Sequence, residues 1–172
     1  MIPILPKYFK GDSLESEFGF VNYYHCHPIN RFLHTVAIPF LIIGLLTLFS
    51  SIDYRLAIIF SIFYCSIVCL FDKQIAIIFV VLFGILFLPS ISIVDSQGFK
   101  AIFYGFGILL TGFSMQGIGH YQFQAGPPAF RPFEAVFTTP VFLVMYLISN
   151  QNDPFWIQVK YETEKWKKLL EK

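Results

Sequence analysis

The chain has 172 residues, of which 56% are hydrophobic, 19% aromatic and only 13% charged, and its formal net charge is +1. That balance excludes an ordinary soluble domain, and the lack of a basic block before the C-terminus excludes nucleic-acid binding, which needs a positive footprint. It is the composition of an integral membrane protein, read as one membrane domain over residues 1–172 with no internal repeat and no low-complexity tract.

The N-terminus, with Pro3, Pro6, Lys7 and Lys10 and no early apolar run, lacks the layout of a cleavable signal peptide. Insertion is therefore expected to depend on the first span. Asp12-Ser13-Leu14-Glu15 resembles a helix start, and Leu14, Phe18, Val21 and His25 follow at near-helical spacing. This predicts a short interfacial helix ending near His25. Pro28 disfavours helical backbone at His27 and suits the first turn of a new helix, so Cys26-His27-Pro28 is the expected corner.

Crossing about 30 Å of hydrocarbon takes about 20 apolar residues, and the runs 32–50, 56–71, 75–94 and 99–118 are read as four spans. A fifth run, 133–149, carries Thr138-Thr139-Pro140 in its middle, where proline removes a helix hydrogen bond, so it is expected to kink, tilt or enter partway. The tail 154–172 interleaves lysines with Trp166, Leu169 and Leu170 and reads as an amphipathic surface helix. The tyrosines Tyr23, Tyr24 and Tyr121 and both tryptophans read as interfacial belt residues. The expected fold class is an all-α polytopic bundle of four to five spans with a short N-terminal interfacial helix.

Charge sets the orientation. With four crossings, Lys7, Lys10, Arg31, Lys73, Arg131 and the five C-terminal lysines share one side, leaving Arg55 and Lys100 opposite. A fifth crossing would erase that bias, so both termini are expected in the cytoplasm. The membrane would be the inner membrane of a bacterium or the endoplasmic reticulum of a eukaryote.

All four histidines flank the apolar runs: His25, His27 and His34 in front, His120 far downstream. Span parity returns the end of the fourth span to the side where the first began, so all four can meet. Imidazole is the commonest metal ligand, and ferrous iron and zinc both accept several around one centre. Taken singly, an interfacial histidine is more often a satisfied polar residue than a ligand; convergence is what favours a metal. Gln116, one turn before His120, can orient a ligand or a bound water. Four histidines are too few for a two-iron membrane desaturase, and their place at helix ends argues against a bis-histidine haem. Cys65 and Cys69, one helical turn apart in an apolar run, read as reduced packing residues, and Cys26 as a bystander. Arg31 and Arg131 can receive a fatty acid carboxylate or anchor the chain at the headgroup layer.

The segment Tyr24-His25-Cys26-His27-Pro28-Ile29-Asn30-Arg31-Phe32-Leu33-His34 precedes an apolar span, and Gln116-Gly117-Ile118-Gly119-His120 with Pro128-Ala129 stands at the rear. Together they resemble the 2-hydroxy fatty acid dioxygenase family over roughly residues 14–148. The resemblance implies a ferrous dioxygenase that takes a 2-hydroxy fatty acid and dioxygen, shortens the acid by one carbon and releases carbon dioxide. It further implies metal ligation by His25, His34 and His120 with His27 as a fourth, catalytic roles for Asn30 and Gln116, and substrate contacts from Arg31 and Arg131, among membrane lipids. Two departures stand out. His27 is displaced by one from the second histidine of the fungal pattern, and Gln124 stands where the family commonly carries an acidic residue. The rival readings are a non-catalytic membrane protein with a structural metal or a lipid-binding role, and a zinc-dependent lipid hydrolase.

Overall fold

Helix caps divide the chain where hydropathy alone cannot. Asp53 separates two apolar helices, α2 (Pro28–Ile52) and α3 (Tyr54–Phe71), its carboxylate accepting from Arg55 N at 2.8 Å. Asp72 does the same before α4 (Lys73–Gln97), accepting from Gln74 N and Ile75 N. Each cap satisfies amide groups that the first helical turn leaves unpaired. At Gly98 the backbone takes φ +54°, a conformation open to glycine, and a short 3₁₀ turn leads into α5 (Ala101–Ile118).

The computed structural model describes residues 10–124, 128 and 131–171. Pro3, Pro6 and Lys7 of the N-terminal reading, Ala129 of the rear motif and Lys172 fall outside them. Every regular element among the described residues is helical, and the chain divides into two compact units: Val36–Gly117, and Met1–Thr35 with Ile118–Lys172.

The unit Val36–Gly117 is the membrane part. Three helical stretches are long and apolar enough to cross a bilayer: Pro28–Ile52, Tyr54–Phe71 and Lys73–Gln124. The last is 52 residues long and cannot run straight. Ser90 on α4 bonds the Ile43 carbonyl of α2, and Leu109 on α5 lies against Gly44, so the chain folds back at Gly98. The two arms match the third and fourth expected spans. Backbone meets backbone between α2 and α5: a Cβ on Gly44 would lie 2.9 Å from Leu109 N, and one on Gly105 would lie 3.2 Å from the Gly44 carbonyl. Small residues permit this approach, which matters where lipid removes any hydrophobic drive for helix association. α3 packs on α4 through Tyr64, Phe79 and Phe83. Outward, Ile59, Ile62, Phe63, Ile77, Val81, Ile85 and Leu88 are exposed, an apolar surface suited to lipid.

The second unit is built on α1 (Leu14–Tyr24), capped by Ser13 Oγ, which accepts from Ser16 N. It buries Leu14, Phe18 and Val21, as their spacing predicts, against α7 (Pro154–Leu170). Gly19 allows the close approach, because a Cβ there would lie 2.6 Å from Glu162 Cβ. Trp166 donates Nε1–H to Ser16 O at 2.9 Å, and Asn22 donates to Thr163 Oγ1 at 3.0 Å. The tail is thus a packed helix as well as an amphipathic one. Trp156 is a correction: only 2% exposed, it packs on Phe18 and Phe142 and is a core residue, not a belt residue.

The fifth run forms a π turn, Glu134–Thr138, followed by α6 (Thr139–Ile148). Pro140 lies directly after the π turn, among the first residues of α6, and the helix is continuous through both segments from Glu134 to Ile148. At 15 residues the run would extend only about 22 Å at helical rise, short of the hydrocarbon layer, and it buries Thr138, Val141, Phe142 and Leu143 inside this unit.

Candidate metal centre

The predicted corner at Cys26-His27-Pro28 is present between α1 and α2, and it sets His25 at the end of one helix and His34 two turns into the next. His120 comes from the π segment Gly119–Gln124, into which α5 runs on. Wider π turns re-aim a side chain and recur at functional sites. The three side chains are 3%, 4% and 3% exposed. Their ring centroids lie 4.5 Å apart for His25–His34, 4.7 Å for His34–His120 and 5.0 Å for His25–His120. One ligating nitrogen from each falls within 4.8 Å of the others.

His25 Nδ1 lies 2.8 Å from the Val21 carbonyl, and a carbonyl can only accept, so Nδ1 carries the proton and Nε2 presents its lone pair. A ring nitrogen held this way by a backbone carbonyl fixes tautomer and ring orientation for a metal ligand. Burial drives the His25 pKa down to about 3, so the ring stays neutral. His25 Nε2 and His120 Nδ1 are buried with no hydrogen-bond partner among the described residues. Leaving such nitrogens unsatisfied costs about 1–3 kcal/mol each, and a cation between them removes that cost. The donor set, neutral imidazole alone, suits a borderline transition metal.

The shell around the cluster is equally ordered. Asn30 is fully buried; its Nδ2 donates to Tyr24 O at 2.9 Å and reaches Gln124 Oε1 at 3.4 Å. A Cβ at Gly119 would collide with Asn30 Oδ1, so the glycine before His120 is what lets the π segment close onto α2. Gln124 bonds the corner on both of its amide ends. Sequence reasoning treated that position only as a missing acid; its polar side chain one turn from His120 was the available signal.

His27 does not join the cluster. Its ring stacks on Phe123 at 5.7 Å, and its Nδ1 accepts from Ile29 N. Arg31 donates to Cys26 O at 3.1 Å, lies over the Tyr146 ring at 4.2 Å and lines a polar cavity of about 190 Å³ with Asn22, Gln151 and Lys160. It has no carboxylate partner among the described residues. Arg131 is placed differently: it lies 3.6 Å from Glu17 and 3.5 Å from Glu134, two buried acidic side chains. Burial raises the pKa of both acids, and Glu134, also facing Glu17, reaches about 8. Gln116 lies half-buried on α5, one turn before His120 in the chain.

Fold and centre define a class: an all-helical protein with helices long and apolar enough to span a bilayer and a buried three-histidine cluster that can hold a metal ion. Within that class the chain belongs to the family described as 2-hydroxy-palmitic acid dioxygenase Mpo1-like, which matches residues 12–151. The match contains all three clustered histidines. No curated protein and no solved structure matches the chain.

Proposed function

We propose that this protein is an iron(II)-dependent dioxygenase that shortens long-chain 2-hydroxy fatty acids by one carbon with release of carbon dioxide. The observation that carries the reading is the buried convergence of His25, His34 and His120 inside the matched family region. Among the described residues no further His, Cys, Asp or Glu joins the group. Three protein ligands leave coordination positions open, the pattern of catalytic rather than structural sites, which disfavours the structural-metal reading.

The reaction balances without an organic cofactor. A 2-hydroxy acid and dioxygen become the acid one carbon shorter, carbon dioxide and water; the substrate loses four electrons and dioxygen gains them. A bound ferrous ion supplies the redox partner for dioxygen that no side chain offers. The chain's own groups hold and orient. His25, His34 and His120 would hold the metal through their ring nitrogens; Arg31, with no internal carboxylate among the described residues, receives the acid end of the substrate; Asn30 and Gln116 order polar groups beside it, and the acyl tail stays with membrane lipid.

The test is product analysis: purified protein with ferrous iron, dioxygen and 2-hydroxypalmitate should yield the acid one carbon shorter, and Arg31→Gln should raise KM more than it lowers kcat. Hydrolysis of a lipid ester with zinc, and no consumption of any 2-hydroxy acid, would favour the hydrolase. Both termini are proposed to face the cytoplasm because ten of the twelve Lys and Arg then share a side. Reporter fusions at the two ends should give the same location, and opposite locations would contradict it.

A further inference from the structure

We infer that the Gln124 side-chain amide is the positioning group that fixes the geometry of the three-histidine centre; the inference rests on the metal reading above. Gln124 ends the π segment that carries His120. Its Oε1 accepts from His27 N at 3.0 Å and from Asn30 Nδ2 at 3.4 Å, and its Nε2 donates to Tyr23 O at 3.1 Å and Cys26 Sγ at 2.9 Å. These partners bracket His25 in sequence on both sides, and Asn30 lies one turn before His34 on the same helix. One side chain therefore ties the segment that carries His120 to the segments that carry the other two.

The chemistry of the corner selects an amide. His27 N–H can only donate and the Tyr23 carbonyl can only accept, so the two ends of Gln124 are distinguished by their partners. A carboxylate at 124 would keep both acceptor contacts, lose the donor contact to Tyr23 O and set a negative charge against that carbonyl. A shorter amide would not reach. Gln124 touches no clustered histidine in any described hydrogen bond, so it acts through the corner and through Asn30.

The experiment uses Co(II) as the metal probe in the full-length, detergent-solubilised chain, reading both affinity and the visible ligand-field spectrum. Gln124→Glu should weaken Co(II) binding about 10- to 100-fold, the usual effect of removing an outer-shell partner, and alter the spectrum. Should that variant fail to fold, Gln124→Met keeps the length without a charge and carries the same comparison. Trp166→Phe, which breaks the Trp166–Ser16 bond within the same unit, is the control for general loosening and should leave the spectrum unchanged. Wild-type affinity and spectrum in the Gln124 variants would overturn the inference alone, as would an equal change in Trp166→Phe. A wild-type chain that binds no Co(II) would overturn the metal reading together with it.

Discussion

The membrane unit and the unit that joins both chain ends bury opposite kinds of atoms. In Val36–Gly117 the buried polar side chains are small hydroxyls, Thr47, Ser50 and Ser90, and backbone closes on backbone at Gly44 and Gly105. In the other unit the buried set includes three histidines, three glutamates and Asn30. Burying such groups is costly unless they are paired or put to use. Arg131 lies beside Glu17 and Glu134 and Gln124 bonds Asn30, while His25 Nε2 and His120 Nδ1 are among the buried atoms with no hydrogen-bond partner among the described residues, and a cation between them would satisfy both. The lesson is that, in a chain whose exterior is itself apolar, polar burial locates chemistry better than hydropathy does.

Three substitutions test that contrast. The largest effect should come from Arg131→Met, which removes the cation beside the buried Glu17 and Glu134 side chains and should cost about 3–5 kcal/mol, seen as a lower Tm; an unchanged Tm would show that the triad is not structural. Next, the two glycine environments should separate. Gly119→Ala forces a Cβ into Asn30 and should weaken metal binding about tenfold or more, whereas Gly84→Ala in the membrane unit meets open space and should do nothing. Equal effects from the two would erase the contrast.

The smallest expected effect is a pH slope. Glu134 has a pKa of about 8 in the fold against an ordinary 4.5, so the folded chain holds a proton that the unfolded chain releases. Its contribution to stability is complete below about pH 4.5 and is lost as pH rises through about 8. Thermal melts across that window should show wild-type Tm falling with pH and a flatter profile for Glu134→Gln. Parallel profiles would place the titration elsewhere.

Much of this was legible in the chain. The expected spans 32–50, 56–71, 75–94 and 99–118 differ from α2 to α5 by a few residues at their ends, because apolar length is a property of sequence alone. The α1 face and the Pro28 corner followed from capping and proline rules, and the meeting of His25, His34 and His120 followed from span parity. What failed depended on tertiary detail. His27 stands apart from the cluster and stacks on Phe123, which no periodicity encodes. The π turns at Gly119–Gln124 and Glu134–Thr138 shifted the helical register, which apolar periodicity does not encode. That Arg131 lies beside Glu17, 114 positions earlier, was likewise not readable from spacing. An acid on the apolar face of α1, between Leu14 and Phe18, was the overlooked hint.

The central claim is that His25, His34 and His120 form one redox metal centre, and the most direct measurement is the metal content of anaerobically purified protein together with its turnover of 2-hydroxypalmitate. One ferrous ion per chain, lost with all turnover in His120→Ala but retained in His27→Ala, is the expected result. Zinc in place of iron, or an iron-loaded chain that consumes no 2-hydroxy acid of any length, would contradict it.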